Sequence, residues 1–317
     1  MIVVREPDEI VYDKKTVVTV GTFDGVHIGH QQIIGELNRL KEEKNLRSIL
    51  ITFDPHPQIV LRNRSKDVKL LTSTEEKLEL LKKFPLDTVY IINFSKEFAA
   101  TPAEKFFTDY IVNRIGLNDL VIGYDHMFGK NREGSIETVN ALSNNFGFSV
   151  HKVPEFKIDD KNISSTEIRK LLEEGDVNAA KFFLGRFYDI EGTVVQGAKR
   201  GRELGYPTAN IKIDDDNKQI PKNGIYAVEV LLDENIFRGE TFRGMMSIGH
   251  NPTVNDTDEI FLEVNIFNFD KDIYGEKIKI RFVEYIREEV KFNSLEELTK
   301  KLDEDKQKTL NIFSNIN

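Results

Sequence analysis

Two different spacings of apolar residues meet in this chain near Gly185, and that meeting restricts it to a two-part architecture. Before it, short β-branched runs alternate with stretches of helical spacing: TVVTV (16–20), SILITF (48–53), TVYIINF (88–94), DLVIG (119–123) and FSVHKV (148–153). Strands regularly separated by helices predict a parallel sheet with helices on both faces. After it, IYAVEVLL (225–232), FLEVNIF (261–267) and KIKIRFV (277–283) alternate with period two between turn-like segments. That pattern predicts mostly antiparallel β structure, a small barrel closed by a terminal helix. The expected division is 1–184 and 185–317, with the short helix DVNAAKFFLG just before the break.

Several helix boundaries are written in the residues. Thr101-Pro102-Ala103-Glu104 offers an N-cap, a proline at the first helical position and a returning carboxylate. Phe106, Phe107, Tyr110 and Ile111 then form an apolar stripe that Gly116 can end. Ser73 with Glu76, and Ser164 with Glu167, repeat the capping pattern. In the last helix Ser294 caps, Glu297 returns the bond, and Leu295, Leu298 and Leu302 share a face.

Composition excludes several classes of function. The chain has no cysteine, which removes disulfides, thiolate catalysis and Cys-ligated metals and suits a reducing cytoplasm. A net charge of −9 argues against an extended nucleic-acid surface. No apolar run approaches the ~20 residues of a membrane helix, and MIVVREPDEI does not read as a secretory signal. A cytoplasmic protein without nucleic-acid or membrane partners is expected, with room for an anionic small molecule at a local cluster of donors; the sequence does not specify its oligomeric state.

Only six histidines occur, and two stand three apart in VVTVGTFDGVHIGHQQII (17–34). TVVTV is the first of these strands, GTFDG leaves its carboxyl end, and a helix begins near Ile28 or Gly29. Ligands of open α/β sheets bind at that end, and a helix start offers free N–H groups to phosphate. Gly21, Gly25 and Gly29 let the backbone come close, and His27 and His30 can converge on one spot. Imidazoles aimed at phosphate oxygens stabilise charge as a phosphoryl centre is attacked. The alternative is a structural turn whose histidines bond to backbone.

Three further segments fall beside strand ends: TFDPHP (52–57), VIGYDHMFGKNREG (121–134) and ISSTEIR (163–169). With GTFDGVHIGH they resemble the H-x-G-H signature of nucleotidyltransferases. They resemble one family in particular, the prokaryotic bifunctional riboflavin kinase/FMN adenylyltransferases, also called FAD synthetases. The resemblance implies a Rossmann-like nucleotidyltransferase domain over 1–184 that joins FMN to ATP, giving FAD and pyrophosphate. It implies ATP contacts from Gly21, Phe23, Asp24, Gly25, His27, His30, Ser165, Thr166 and Arg169, with His27 and His30 catalytic. It implies FMN contacts from Pro55, His56, Pro57 and Asp125. His126-Met127 depart from the family's usual Phe-Arg, which bears on the FMN side of that loop.

The second half opens with RFYDIEGTVVQGAKRGRELGYPTANI (186–211), a glycine-rich basic loop without a P-loop signature. It resembles the riboflavin kinase entry with its P-T-A-N box. NGIYAV (223–228) and GMMSIGHNPTV (244–254) resemble further kinase segments. The resemblance implies that Gly197, Lys199, Arg202, Gly205, Pro207, Thr208 and Asn210 hold ATP. Thr208 and Asn210, two apart and so on one face if the chain is extended, are expected as an oxygen pair able to hold Mg²⁺ beside the nucleotide. On FLEVNIF, Phe261, Glu263, Asn265 and Phe267 share one face of a strand, and Leu262, Val264 and Ile266 the other. Glu263 is the family's expected base, flanked by aromatics suited to a flavin ring, and Asn265 stands where the family often has His. Arg287 resembles a flavin-side position. A basic solvated loop and a half-wet edge strand are the plain alternatives here. The expected ligands are ATP, Mg²⁺, riboflavin, FMN and FAD. Two other readings compete: a different phosphorylated acceptor for the first half, or a flavin-storage protein without turnover.

Overall fold

A computed structural model describes residues 1–61, 68–124, 129, 134–158, 161–197, 201, 204–232, 239–250 and 260–316. The chain divides into two compact units, Met1–Ser165 and Thr166–Asn317. The first unit holds strands β1 (Ile2–Val4), β2 (Thr16–Val20), β3 (Arg47–Asp54), β4 (Thr88–Asn93), β5 (Asp119–Ile122) and β6 (Ser149–Lys152). They form one sheet in the order β1-β4-β3-β2-β5-β6, with every pairing parallel. The β2–β6 strands are those predicted; β1 is an additional edge strand, too short to show a period and largely exposed at Ile2 and Val3.

Alternation along the strands divides the core. Val17, Leu50, Val89, Ile91 and Val121 pack on one face against Ile34, Leu37 and Leu40 of α1 (Ile28–Lys44) and Leu81 of α3 (Thr74–Leu81). Val18, Val20, Ile49, Ile51, Leu120 and Ile122 pack on the other against Phe106, Phe107 and Ile111, and against Val139 and Leu142 of α6 (Ile136–Phe146). Each fully buried Ile or Leu contributes about 1.5–3 kcal/mol. Between α1 and α3, α2 spans Pro57–Leu61. After β4 the short α4 (Lys96–Ala99) precedes α5 (Ala103–Phe106), which continues as a π-helical turn over Phe107–Val112. A β7–β8 ribbon (Lys157–Ile158, Lys161–Asn162) follows β6.

Capping is as predicted at Ser73, whose hydroxyl accepts from Glu76 N while Glu76 accepts from Ser73 N. It differs at Thr101. Pro102 itself is the N-cap and no side chain bonds there, because the helix begins one residue later than the spacing implied.

The second unit contains α7 (Ser165–Glu174, its first residue shared with the first unit), α8 (Val177–Leu184), six strands and the terminal helix α9 (Leu295–Asn315). The strands are β9 (Asp189–Val195), β10 (Ala209–Ile213), β11 (Gly224–Leu232), β12 (Thr241–His250), β13 (Ile260–Ile266) and β14 (Lys277–Arg287). They close an antiparallel barrel in the order β10-β13-β12-β11-β14-β9.

The end of the chain corrects two expectations. Ser294 does cap α9, but Glu297 returns its bond to Asn293 N rather than to Ser294. Leu295 is exposed, and the fully buried positions of α9 are Asp305, Thr309 and Phe313. Polar residues thus occupy a seam that hydrophobic spacing cannot identify; an ion pair and a backbone bond take the place of apolar contact there.

Candidate active sites

The turn after β2 lies where chain order reverses in the sheet, since β2 is flanked by β3 on one side and β5 on the other. Its backbone is unusual: Phe23, Gly25 and Val26 have φ of 50°, 81° and 39°. Left-handed conformations at non-glycine residues cost of order 1–3 kcal/mol and persist only where the surroundings impose them. Phe23 and Val26 are buried, and Gly25 N donates to Thr72 Oγ1 at 3.0 Å. Asp24 Oδ1 accepts from Leu71 N and Thr72 N at 2.8 and 3.1 Å. Ser165 Oγ donates to the Asp24 carbonyl at 2.9 Å. Asp24 and Phe23 therefore build the turn from within. At Gly21 a Cβ would crowd the Phe23 ring at 3.1 Å, so the close approach needs glycine.

That turn delivers His27 to the N-cap of α1, where its Nδ1 accepts from His30 N at 3.3 Å. In the neutral ring this leaves the proton on Nε2. The His27 and His30 rings stack with centroids 3.6 Å apart and planes 16° apart, and Phe23 tilts against His30 at 5.1 Å. Gly29 allows the stack, because a Cβ there would meet the His27 ring at 3.2 Å. Burial above all, then His27 and then Lys77, hold the His30 imidazole well below its usual 6.5, so it is neutral near pH 7. Its Nδ1 is buried without a hydrogen-bond partner. A buried polar atom without a partner calls for an explanation, and a bound ligand is one.

At the end of β3 the Asp54–Pro55 peptide is cis, His56 Nδ1 accepts from Gln58 N at 3.2 Å, and Pro57 opens α2. An aromatic group stands beside it: Phe53–Phe94 and Phe94–Phe98 ring centroids are 5.5 Å apart. Spacing alone did not single out that group, because Phe53 lies some forty residues before Phe94 and Phe98. Asp125, His126 and Met127 lie outside the described residues. Thr166 and Arg169 belong to the second unit, where Arg169 Nη2 reaches Thr166 Oγ1 at 3.5 Å.

In the barrel, β10 and β13 pair so that Asn210 stands opposite Glu263. Thr208 Oγ1 donates to Glu263 Oε2 at 3.3 Å, and Asn265 Nδ2 donates to the Pro207 carbonyl at 2.7 Å. The P-T-A-N box and FLEVNIF are thus one site. A Cβ on Gly197 would overlap the Asn210 amide, and Gly205 turns with φ of 77°. Lys199, Arg200 and Arg202 lie outside the described residues, as do residues 251–254 of GMMSIGHNPTV. Thr208, Asn210 and Glu263 place hydroxyl, amide and carboxylate oxygens together, a hard donor set that suits Mg²⁺. No cluster of three or more His, Asp or Glu suited to a metal occurs among the described residues.

The two ends of the predicted flavin face differ. Phe261 is exposed, whereas Phe267 packs with Tyr206, Met245 and Leu302. Tyr206 OH also bonds Asp303, so α9 braces the residue two before Thr208. Arg287 is engaged by Asp305: Nε lies 3.0 Å from both carboxylate oxygens and Nη2 2.6 Å from Oδ2. Asp305 and Lys77 are among the buried charges that the sequence reading did not single out. For Lys77 a signal existed, since it lies four residues before buried Leu81 on α3.

Comparison with known proteins follows the same division. The family model for FAD synthetase matches residues 9–167, and that for riboflavin kinase matches residues 184–313. A bifunctional riboflavin kinase/FMN adenylyltransferase of Listeria monocytogenes is 38% identical over 304 residues, covering 96% of this chain and 94% of its own. That of Bacillus subtilis is 37% identical over 306 residues, covering 95% and 94%. The crystal structure of a macrolide-efflux protein from Streptococcus pneumoniae superposes with a TM-score of 0.87 at 33% identity, covering 98% of both chains. No described helix here is long and apolar enough to cross a membrane.

Proposed function

The chain belongs to the bifunctional riboflavin kinase/FMN adenylyltransferase family, and on that premise we propose that it makes FAD in two ATP-dependent steps. The barrel phosphorylates riboflavin to FMN, and the parallel-sheet unit joins FMN to the adenylyl group of ATP with release of pyrophosphate. Functionally we divide the chain at 184/185. The compact units divide earlier, at 165/166.

The two reactions make different demands. The FMN phosphate is ionised near pH 7 and attacks the α-phosphorus of ATP as the bond to the β-phosphate oxygen breaks. No protein base is required, only placement and charge stabilisation. His27, whose neutral ring carries its proton on Nε2, and neutral His30, with its unsatisfied Nδ1, are the groups we assign to the phosphates. The start of α1 brings backbone N–H groups and Gly21 and Gly25 let the turn come close, while Phe23 and Asp24 hold its shape. Ser165, Thr166 and Arg169 we assign to the triphosphate, and Pro55, His56, Pro57 and Asp125 to FMN.

A riboflavin hydroxyl is a poor nucleophile until its proton has somewhere to go. Glu263 is the base we assign, taking that proton as the hydroxyl oxygen attacks the γ-phosphorus and ADP leaves. Its bond from Thr208 aims the carboxylate at the P-T-A-N side, where Gly197, Lys199, Arg202, Gly205, Pro207, Thr208 and Asn210 would hold ATP. Mg²⁺ bound with the nucleotide would be held by Thr208 and Asn210 and would neutralise phosphate charge. Asn265 fixes Pro207 and borders the flavin side; Arg287 contributes there through its junction with Asp305.

The Thr208–Glu263 contact across β10 and β13 carries this reading, since binding alone needs no carboxylate beside the nucleotide box. The test is incubation with ATP, Mg²⁺ and riboflavin, then chromatography for FMN and FAD. FMN followed by FAD is expected; no conversion would leave a flavin-storage protein as the better reading. We place the enzyme in the cytoplasm, consistent with a chain free of cysteine.

A further inference from the structure

Lys77 is a buried cation that neither reaction uses. It projects from α3, whose start is fixed by the Ser73/Glu76 capping box, toward the turn that carries the histidines. Its ammonium donates to Thr52 Oγ1 at 2.9 Å, to the Thr22 carbonyl at 3.2 Å and to the Phe53 carbonyl at 3.4 Å. Thr52 Oγ1 in turn donates to the Thr22 carbonyl at 3.1 Å. Thr22 lies inside GTFDG, while Thr52 and Phe53 end β3 just before Asp54-Pro55-His56. An ammonium has three N–H donors, and all three are taken by protein oxygens. Direct contact with a substrate phosphate is therefore the weaker role. The same segment grips the far side of the turn through Leu71 N and Thr72 N on Asp24.

Resting on the adenylyl-transfer reading above, we infer that Lys77 is a positioning residue of that site, a charged clamp tying the His27/His30 turn to the FMN-side end of β3. The charge is needed as well as the reach. Asp24, Asp54 and Glu75 face it with negative charge, while Arg5 and His30 are the basic groups nearby. Burial brings the ammonium down to about 8 from 10.5 against the pull of those carboxylates. Above that pH the clamp loses a donor and the charge that helps keep His30 neutral. Group placement of this kind is worth up to about 10²-fold in rate.

The experiment measures kcat/KM for FMN adenylylation from pH 6 to 10 in the full chain, with riboflavin phosphorylation as internal control. Lys77→Met should lower adenylylation roughly 10²-fold, erase the alkaline fall near 8, and leave phosphorylation at the wild-type rate. Lys77→Arg, charged throughout this range, should retain more activity and also lack the fall. A Lys77→Met protein with wild-type kcat/KM and an unchanged profile overturns the inference. If Lys77→Met does not fold, Lys77→Arg decides: a persisting fall near 8 overturns it, a flat limb supports it. Failure of the wild-type chain to make FAD from FMN would instead refute the functional reading on which this rests.

Discussion

The Arg287–Asp305 pair permits a worked prediction, because Asp305 is shut off from solvent and Arg287 largely so. Asp305 is fully buried on α9, and the Arg287 side chain on β14 is 15% exposed. Asp305→Ala removes both carboxylate oxygens and leaves the guanidinium with the Glu288 carbonyl at 2.7 Å. Breaking a buried pair on one side typically costs about 3–5 kcal/mol, because an uncompensated charge stays inside. For a unit of this size each kcal/mol moves the midpoint by roughly 2–4 °C, so a fall of about 6–20 °C is expected. The full chain supplies its own control: after graded heating, residual riboflavin phosphorylation should be lost at the lower temperature while FMN adenylylation is lost where it was. Replacing both members, Arg287→Met with Asp305→Leu, should recover most of the loss, since apolar pairs of similar volume often match buried ion pairs. The double variant also tests the flavin-side role of Arg287, through a raised KM for riboflavin in a protein that melts normally. A midpoint shift under about 3 °C for Asp305→Ala, or a double variant as unstable as the summed singles, would refute the assignment of α9 docking to this pair.

Other expectations follow from the two sites. Replacing His27 and His30 together with Ala should cut FAD formation by at least about 10²-fold while FMN formation stays near normal; unchanged FAD formation would make them structural. Glu263→Gln should lower riboflavin phosphorylation by roughly 10²–10⁴-fold, with added FMN still converted to FAD at close to the normal rate. Because His30 binds its proton more weakly folded than unfolded, the stability it contributes is present above about 6.5 and is lost as pH falls below it. Thermal melts of the adenylylating unit should therefore drop between pH 6.5 and 5, and His30→Gln should flatten that slope. Excess EDTA should stop both reactions, and full turnover in its presence would count against nucleotide-borne Mg²⁺. A fragment of residues 185–317 should phosphorylate riboflavin without making FAD, and a fragment of 166–317 should do so with a higher melting point. The longer fragment keeps the bond from Lys222 N to the Leu172 carbonyl.

Period and short-range chemistry were enough for much of this protein. The parallel strands from TVVTV to FSVHKV, the period-two strands after Gly185, the Ser73/Glu76 box and the helix beginning at Ile28 were all legible, because each is set by neighbours within one turn or one pleat. The same holds for the histidines: three apart after a glycine turn, they had to share a helix start. What the sequence left open depends on partners far along the chain. Strand order, which puts GTFDG at the reversal of the sheet, arises from pairing across the whole unit. Glu263 meets Thr208 only through closure of the barrel, and Arg287 meets Asp305 only through the docking of α9. Lys77 carried only the faint signal of sharing a helix face with Leu81. Its three acceptors lie at residues 22, 52 and 53, and tertiary packing alone could exclude water there and make a surface-type residue a buried clamp.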